Sequence, residues 1–259
     1  MRIVREPQVY VVGRQTVDQT EVDRFLRDHA LTWETDTEIG AEVLCEAGGR
    51  LCYMSYGQGR KSNKEYLAHL IEVGHGSVLE HAVWDLLFTG ISRSCTHELV
   101  RHRAGFGYSQ LSQRYVDESD TDFIEPDVIA GDAELHALWL EACETTHRIY
   151  CELVEKLTVK VGEQFPDEPR TSRRKMARQA ARSVLPNATE TKIFVTANAR
   201  ALRHFIEMRA HPAAEVEIRK LAVAVLRVME REAPNLFGDY EIYRLPDGTE
   251  AARTEHRKV

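Results

Sequence analysis

The sequence predicts an α+β protein, a mostly antiparallel sheet with many helices packed around it. Two observations carry this. Apolar residues recur at i, i+3, i+4, i+7 spacing over 133–157 and 212–232, the period of a helix with one buried stripe. Short β-branched runs, QVYVVG at 8–13 and TKIFVTANA at 191–199, read as strands.

Gly13 closes the first strand. Helices are expected at 20–30, 38–53 and 63–75, the last closing at Gly74 and Gly76. The run at 77–91 contains a strand, and SRSCTHELVRHR at 92–103 has helical spacing at Cys95, Leu99 and Val100. In the long helix, Leu135, Leu138, Trp139, Ala142, Thr146, Ile149, Tyr150, Leu153 and Leu157 form the stripe. A basic helix at 172–186 ends at Pro186, and the strand 191–199 leads into a helix at 198–210. In 212–232, Ala214, Ile218, Leu221, Ala222, Val225 and Met229 face inward, with Glu215, Arg219, Glu230 and Arg231 outward. The segment 245–259 reads as a polar, frayed tail. With no repeat and no low-complexity linker, residues 1–259 are read as a single domain.

Composition narrows the function. Hydrophobic residues are 43% and charged residues 29% of 259, as in ordinary soluble proteins. The net charge is 34 − 41 = −7, so nucleic acid and anionic membranes are not expected partners. No apolar run reaches the length of a membrane span, and the start has no signal-like apolar block. Cys45, Cys52, Cys95, Cys143 and Cys151 form no CxxC pair and no metal spacing. Reduced thiols, a cytoplasmic location and no bound metal are the expectation, with Cys52 and Cys95 buried in helices.

The informative stretch is RHRAGFGYSQLSQRY at 101–115. Read blandly, it is a cationic helix end, favoured by the helix dipole, followed by glycine stop signals. If the helix persists to 103, Arg101 and Arg103 face apart, because successive residues turn by about 100°. If YSQLSQR is extended, Tyr108, Gln110, Ser112 and Arg114 share one side. That row offers an amide, a hydroxyl and a planar fork of donors, which suits a phosphate and a polar base edge. Elsewhere GHGSVLEH sets His75 and Ser77 beside glycines, Asn198 stands where a strand becomes a helix, and Arg182 ends the basic helix.

These pieces together resemble the flavin-dependent thymidylate synthases. That family carries RHR, a short spacer and S-x-R. Here it is Arg101-His102-Arg103, eight residues, then Ser112-Gln113-Arg114. GRLCYMS (49–55), GHGSVLEH (74–81), ARSVLP (181–186), TANARALRHFIEMRA (196–210), EIRKLAVAVL (217–226) and APNLFGDYEI (233–242) match in order, so the resemblance spans 40–242.

The resemblance implies that family's fold and a homotetramer with sites where subunits meet. It implies reductive methylation of C5 of dUMP to dTMP, with FAD as cofactor and NADPH and methylenetetrahydrofolate as cosubstrates, and no cysteine nucleophile. Arg101, His102, Arg103, Ser77, Asn198 and His204 would hold the flavin. Glu98, Gln110, Ser112, Arg114, Arg182 and Arg209 would hold the nucleotide. Arg209, His75 and Ser112 are the expected catalytic residues, Arg209 lying against the uracil. Three alternatives remain at this stage: a UMP or UMP/dUMP methylase of a nucleoside-antibiotic pathway, a nucleotide- or RNA-binding protein using the basic helix, and a helical interaction protein whose arginines only solvate helix ends.

Overall fold

The computed structural model describes residues 2–60, 62–257 and 259. In chain order, β1 (Ile3–Val4) and β2 (Gln8–Arg14) precede α1 (Gln19–Asp28), α2 (Gly40–Tyr53) and α3 (Asn63–Glu72). A 3-10 turn (Gly76–His81) leads into β3 (Val83–Ser92), α4 (Arg93–Leu99) and β4 (Phe106–Gln110). Then come β5 (Phe123–Ile124), α5 (Asp127–Ala130), α6 (Ala133–Gln164) and α7 (Arg170–Ala181). A second 3-10 turn (Arg182–Val184) precedes β6 (Glu190–Asn198), α8 (Ala199–Arg209), α9 (Val216–Glu232), α10 (Pro234–Phe237), β7 (Glu241–Arg244) and β8 (Glu250–Arg253). Helix makes up 51% of the residues, and β2-β3-β6-β4 is the order of an antiparallel sheet, so the chain is of mixed α+β class.

Two compact units interleave along the sequence. One comprises Met1–Pro7, Thr89–Leu99 and Ser109–Ile193, the other Gln8–Phe88, Val100–Tyr108 and Phe194–Val259. In the first, β1 pairs in parallel with β5, Ile3 opposite Phe123 and Val4 opposite Ile124. Arg5 donates Nε and Nη2 to Glu125 Oε2 at 2.9 and 2.5 Å, and His136 Nδ1 meets the other carboxylate oxygen. α6 packs along α7. The residues of α6 that are buried are Cys143, Tyr150 and Val161, while Leu135 and Leu138 are 44% and 59% exposed. The stripe read on this helix is therefore present but only partly covered by its own chain.

The second unit is built on α2, α3, α8, α9 and α10, with Leu67, Leu79, Leu202, Leu221, Val225 and Phe237 fully buried among them. Its interior also holds charges. Glu46 accepts from Trp33 Nε1 (3.1 Å), Thr35 Oγ1 (2.8 Å), Arg50 Nε (2.7 Å) and Asn63 Nδ2 (2.8 Å). Arg50 spends its terminal nitrogens on the carbonyls of Ser55, Gln58 and Arg60. Arg203, 2% exposed, forms a two-pronged pair with Asp239 (2.6 and 2.8 Å) and also donates to the Leu236 carbonyl.

Two expectations are corrected here. Arg219 does not face outward: it is 3% exposed and donates to the carbonyls of Pro212 and Ala214, to Asp247 and to Thr249. The segment 245–259 is not a frayed tail. β7 and β8 form a hairpin with Tyr243 opposite Ala251, Ala252 N donates to the Ala210 carbonyl at 2.9 Å, and Ala251 is fully buried. Its polar residues read as solvent-facing because sequence cannot reveal the buried guanidinium that Asp247 and Thr249 serve.

The Arg203–Asp239 pair yields a prediction. Asp239→Ala leaves a buried cation without its partner and should lower unfolding free energy by about 3–5 kcal/mol. Urea denaturation of the variant measures this, and an unchanged midpoint would contradict the role given to the pair.

Candidate functional site

The residues singled out from sequence fall into two clusters, one in each unit. In the second unit the starting point is where β6 becomes α8. Asn198 caps that helix, its Oδ1 accepting from Ala201 N at 2.8 Å, while its own N–H donates to the Gly105 carbonyl at 3.2 Å. Gly105 has φ +74°, and a Cβ there would come within 2.7 Å of Asn198 Nδ2 and 2.8 Å of Ala201 Cβ. Only glycine permits this approach. The glycine after RHR thus lays the loop directly on the start of α8.

The loop brings aromatic rings onto α8. The His102 ring meets Phe205 edge-on at 5.2 Å, with His204 at 5.9 Å and Phe106 at 6.0 Å. Phe106 stacks on Tyr108 at 5.6 Å, and the Tyr108 hydroxyl donates to the His102 carbonyl at 2.8 Å. Arg209 Nε donates to His102 Nε2 at 3.0 Å. An acceptor at Nε2 puts the proton on Nδ1 and makes the ring neutral. Burial first, then the nearby Arg209 and His204, push its pKa down to about 4.

Helix α4 ends at Leu99, so Arg101 and Arg103 lie on the loop and not on a continued helix, as one sequence reading had assumed. Both are exposed, and neither guanidinium has a hydrogen bond or ion pair among the described residues. His204 is exposed on α8. His75 and Ser77 are exposed on the 3-10 turn that packs against α8, and the His75 ring stacks on Tyr53 at 6.4 Å.

In the first unit, β4 stops at Gln110, so the shared side expected for Tyr108, Gln110, Ser112 and Arg114 does not extend beyond the first two. Gln110 Nε2 donates to Thr96 Oγ1 (3.0 Å) and Thr191 Oγ1 (3.3 Å). The Ser112 carbonyl accepts from Tyr115 N and Val116 N at 3.0 Å, and its hydroxyl oxygen accepts from Arg114 N at 3.4 Å. Arg114 lies 5.8 Å from the Tyr115 ring centroid, and its buried Nε has no partner. Glu98 is half-buried on α4.

Arg182 lines a cavity of about 460 Å³ with Arg93, His97, Gln113, Gln179 and Asn187. Neither Arg93 nor Arg182 has an ion pair among the described residues. Burial, more than the repulsion from Arg182, lowers the Arg93 pKa, while Glu118 opposes the shift. Two half-buried cations lining one cavity with donor amides have the chemistry to hold an anion. Arg93, His97 and Gln113 were not singled out from sequence. The one available signal was Arg93 and His97 one helical turn apart, which by itself means little.

Three of the five cysteines are poorly suited to be nucleophiles. Burial pushes Cys45 up to about 12 and Cys143 to about 11, and it also raises Cys151. Cys95 is buried, but Cys52 is exposed on α2, against expectation, its Sγ donating to the Gly48 carbonyl at 3.4 Å. A thiol whose pKa is raised, as at Cys45, Cys143 and Cys151, offers little thiolate.

The chain matches the thymidylate synthase complementing protein family over residues 35–235. It is 57% identical over 226 residues to a flavin-dependent thymidylate synthase of Mycobacterium sp. (strain JLS), covering 86% of this chain and 88% of the relative. It is 52% identical over 232 residues to that of Mycobacteroides abscessus, and 51% over 232 residues to that of Mycobacterium tuberculosis, with 88% and 90% coverage in both cases. The chain therefore belongs to the flavin-dependent thymidylate synthase family, and it is a flavin-using methyltransferase enzyme.

The depressed His102 pKa predicts a pH effect. The unfolded chain protonates this ring below the ordinary value of 6.5, whereas the folded one resists until about 4. Its contribution to stability is present above 6.5 and is lost as pH falls from 6.5 towards about 4. His102→Gln, which keeps an acceptor for Arg209, should flatten the loss of unfolding free energy over that window. An unchanged acid limb would contradict it.

Proposed function

We propose that this enzyme methylates C5 of dUMP to give dTMP, with methylenetetrahydrofolate as carbon donor and NADPH as reductant, as a cytoplasmic homotetramer with the family's fold. The observation that carries the reading is the Arg209–His102 hydrogen bond within the RHR loop.

The second unit's cluster fits FAD. Its unengaged groups are donors: the Arg101 and Arg103 guanidiniums, the Asn198 amide nitrogen and the His102 Nδ1–H. A flavin dinucleotide presents acceptors, the carbonyls and nitrogens of its ring edge and its pyrophosphate. Ser77 and His204 add polar contacts from the adjoining turn and helix. When bound, the flavin supplies the redox chemistry, and the protein supplies binding and electrostatics.

The first unit's cavity fits the nucleotide phosphate. Arg182 and Arg93 offer charge, and Ser112, Arg114, Gln110 and Glu98 come from the segments around it. Ser112 acts as a binding and positioning group, because no base stands ready to activate it and its hydroxyl oxygen already accepts from Arg114 N.

Arg209 carries the electrostatic part of catalysis. A neutral imidazole accepts its Nε–H, which orients the guanidinium without diluting its charge. Placed against the uracil carbonyls, that charge stabilises electron density developing on the ring. His75, stacked on Tyr53, presents an exposed ring for a planar ligand.

Arg209→Ala should lower kcat by roughly a hundredfold or more while FAD is retained. Turnover near wild type would remove Arg209 from catalysis. Cys52→Ala should keep full turnover, and its loss in a folded variant would restore a thiol mechanism. The visible spectrum of the FAD-loaded protein should shift on adding dUMP. An equal shift and equal turnover with UMP would change the acceptor, and failure to hold flavin would overturn the reading.

A further inference from the structure

One buried carboxylate of the first unit, coupled in charge to the cavity's Arg93, has no part in the proposed reaction. Glu118 follows the S-x-R segment and is 4% exposed. Its backbone is held in place, the N–H donating to the Tyr150 hydroxyl at 3.2 Å and the carbonyl accepting from His147 Nε2 at 3.0 Å. Thr121 bonds the carboxyl group, but Oε1 is buried with no hydrogen-bond partner among the described residues. An unbonded buried carboxylate oxygen is costly and calls for an explanation.

The charged groups around it supply one. Arg93 at the start of α4 and Lys192 of β6 attract its charge, and Glu190 of β6 repels it. Arg93 makes no ion pair among the described residues; its Nη1 donates to the Leu111 carbonyl at 3.2 Å and its side chain lines the cavity. Arg93 is therefore attracted by Glu118 and repelled by Arg182.

We infer that Glu118 is the resident counter-charge of the Arg93–Arg182 cavity, competing with a bound phosphate for Arg93 and so setting how tightly the nucleotide is held. It is a positioning residue that acts through Arg93. The inference rests on the nucleotide reading above for the identity of the ligand, and on the cavity's geometry for the rest. With no anion present, Glu118 offsets two like charges. When a phosphate dianion enters, the carboxylate opposes it, and the opposition is relieved if Glu118 takes up a proton. Burial raises the Glu118 pKa, a shift in the direction of that uptake. Holding the phosphate less firmly than two unopposed arginines would lets the product nucleotide leave.

Calorimetric titration of the FAD-loaded protein with dUMP, and separately with inorganic phosphate, tests this from pH 6 to 8. Glu118→Gln should bind dUMP at least about threefold more tightly than wild type at pH 8, the size expected of coupled charges. The gap should shrink as pH falls and protonation removes the charge of Glu118 in wild type too. Wild type should take up more protons on binding than Glu118→Gln, and in an Arg93→Met background Glu118→Gln should change nothing. A merely structural role would move neither proton count nor pH dependence.

Equal affinity and equal proton uptake in the two proteins overturn the inference and leave the nucleotide reading standing. Phosphate binding that depends on Glu118, with no binding of dUMP, supports the inference and overturns the nucleotide reading. No binding of either ligand to wild type overturns both. If Glu118→Gln does not fold, wild type decides alone: proton uptake no greater than the phosphate's own ionisation, measured in two buffers of different ionisation enthalpy, refutes the competition.

Discussion

A guanidinium taken out of water costs several kcal/mol unless other groups replace the lost solvent. The way this chain meets that constraint separates its scaffold from its site. Arg50, Arg203 and Arg219 are all at most 3% exposed, and each is surrounded by carbonyls and carboxylates. Arg50 ties down the chain after α2, Arg203 joins α8 to the residues after α10, and Arg219 fastens the C-terminal hairpin. Arg101, Arg103, Arg93 and Arg182 form no ion pair with a carboxylate among the described residues. Their charge is the basis of the anion binding proposed for each unit, on a molecule whose net charge is −7.

The same economy governs His102. Its low pKa arises from burial among Phe106, Phe205 and His204 and from the cation of Arg209. A protonated ring would repel Arg209 and lose its role as acceptor. Neutrality of the histidine and orientation of the arginine are thus one interaction seen from two ends. Gly105 and Asn198 make it possible, since the loop reaches α8 only where no Cβ intervenes.

Function was more legible in the sequence than detailed geometry. The RHR and S-x-R signature and the ordered blocks around it pointed to a flavin-dependent uridylate methylase, and the relatives bear out that family. The strands at 8–13 and 191–199 and the helices up to α9, the short α5 excepted, were also readable, because hydrophobic period and capping residues are local properties. Element ends were less so. The helix at 93 stops at Leu99 and β4 at Gln110, where hydrogen bonding to other segments takes over from local preference.

The sequence by itself determined which residue types were available and which class of chemistry they serve. Only the tertiary structure decided which arginines are spent on the fold and which are left for a ligand. Arg219 reads as a solvated helix residue and is buried; Arg93 reads as unremarkable and lines a cavity; 245–259 reads as a loose tail, yet its residues up to Arg253 belong to a docked hairpin. A cation's role depends on whether carboxylates and carbonyls from distant segments surround it. Spacing along the chain cannot report that, because the partners of Arg203 and Arg219 lie tens of residues away and meet them only when the unit has packed.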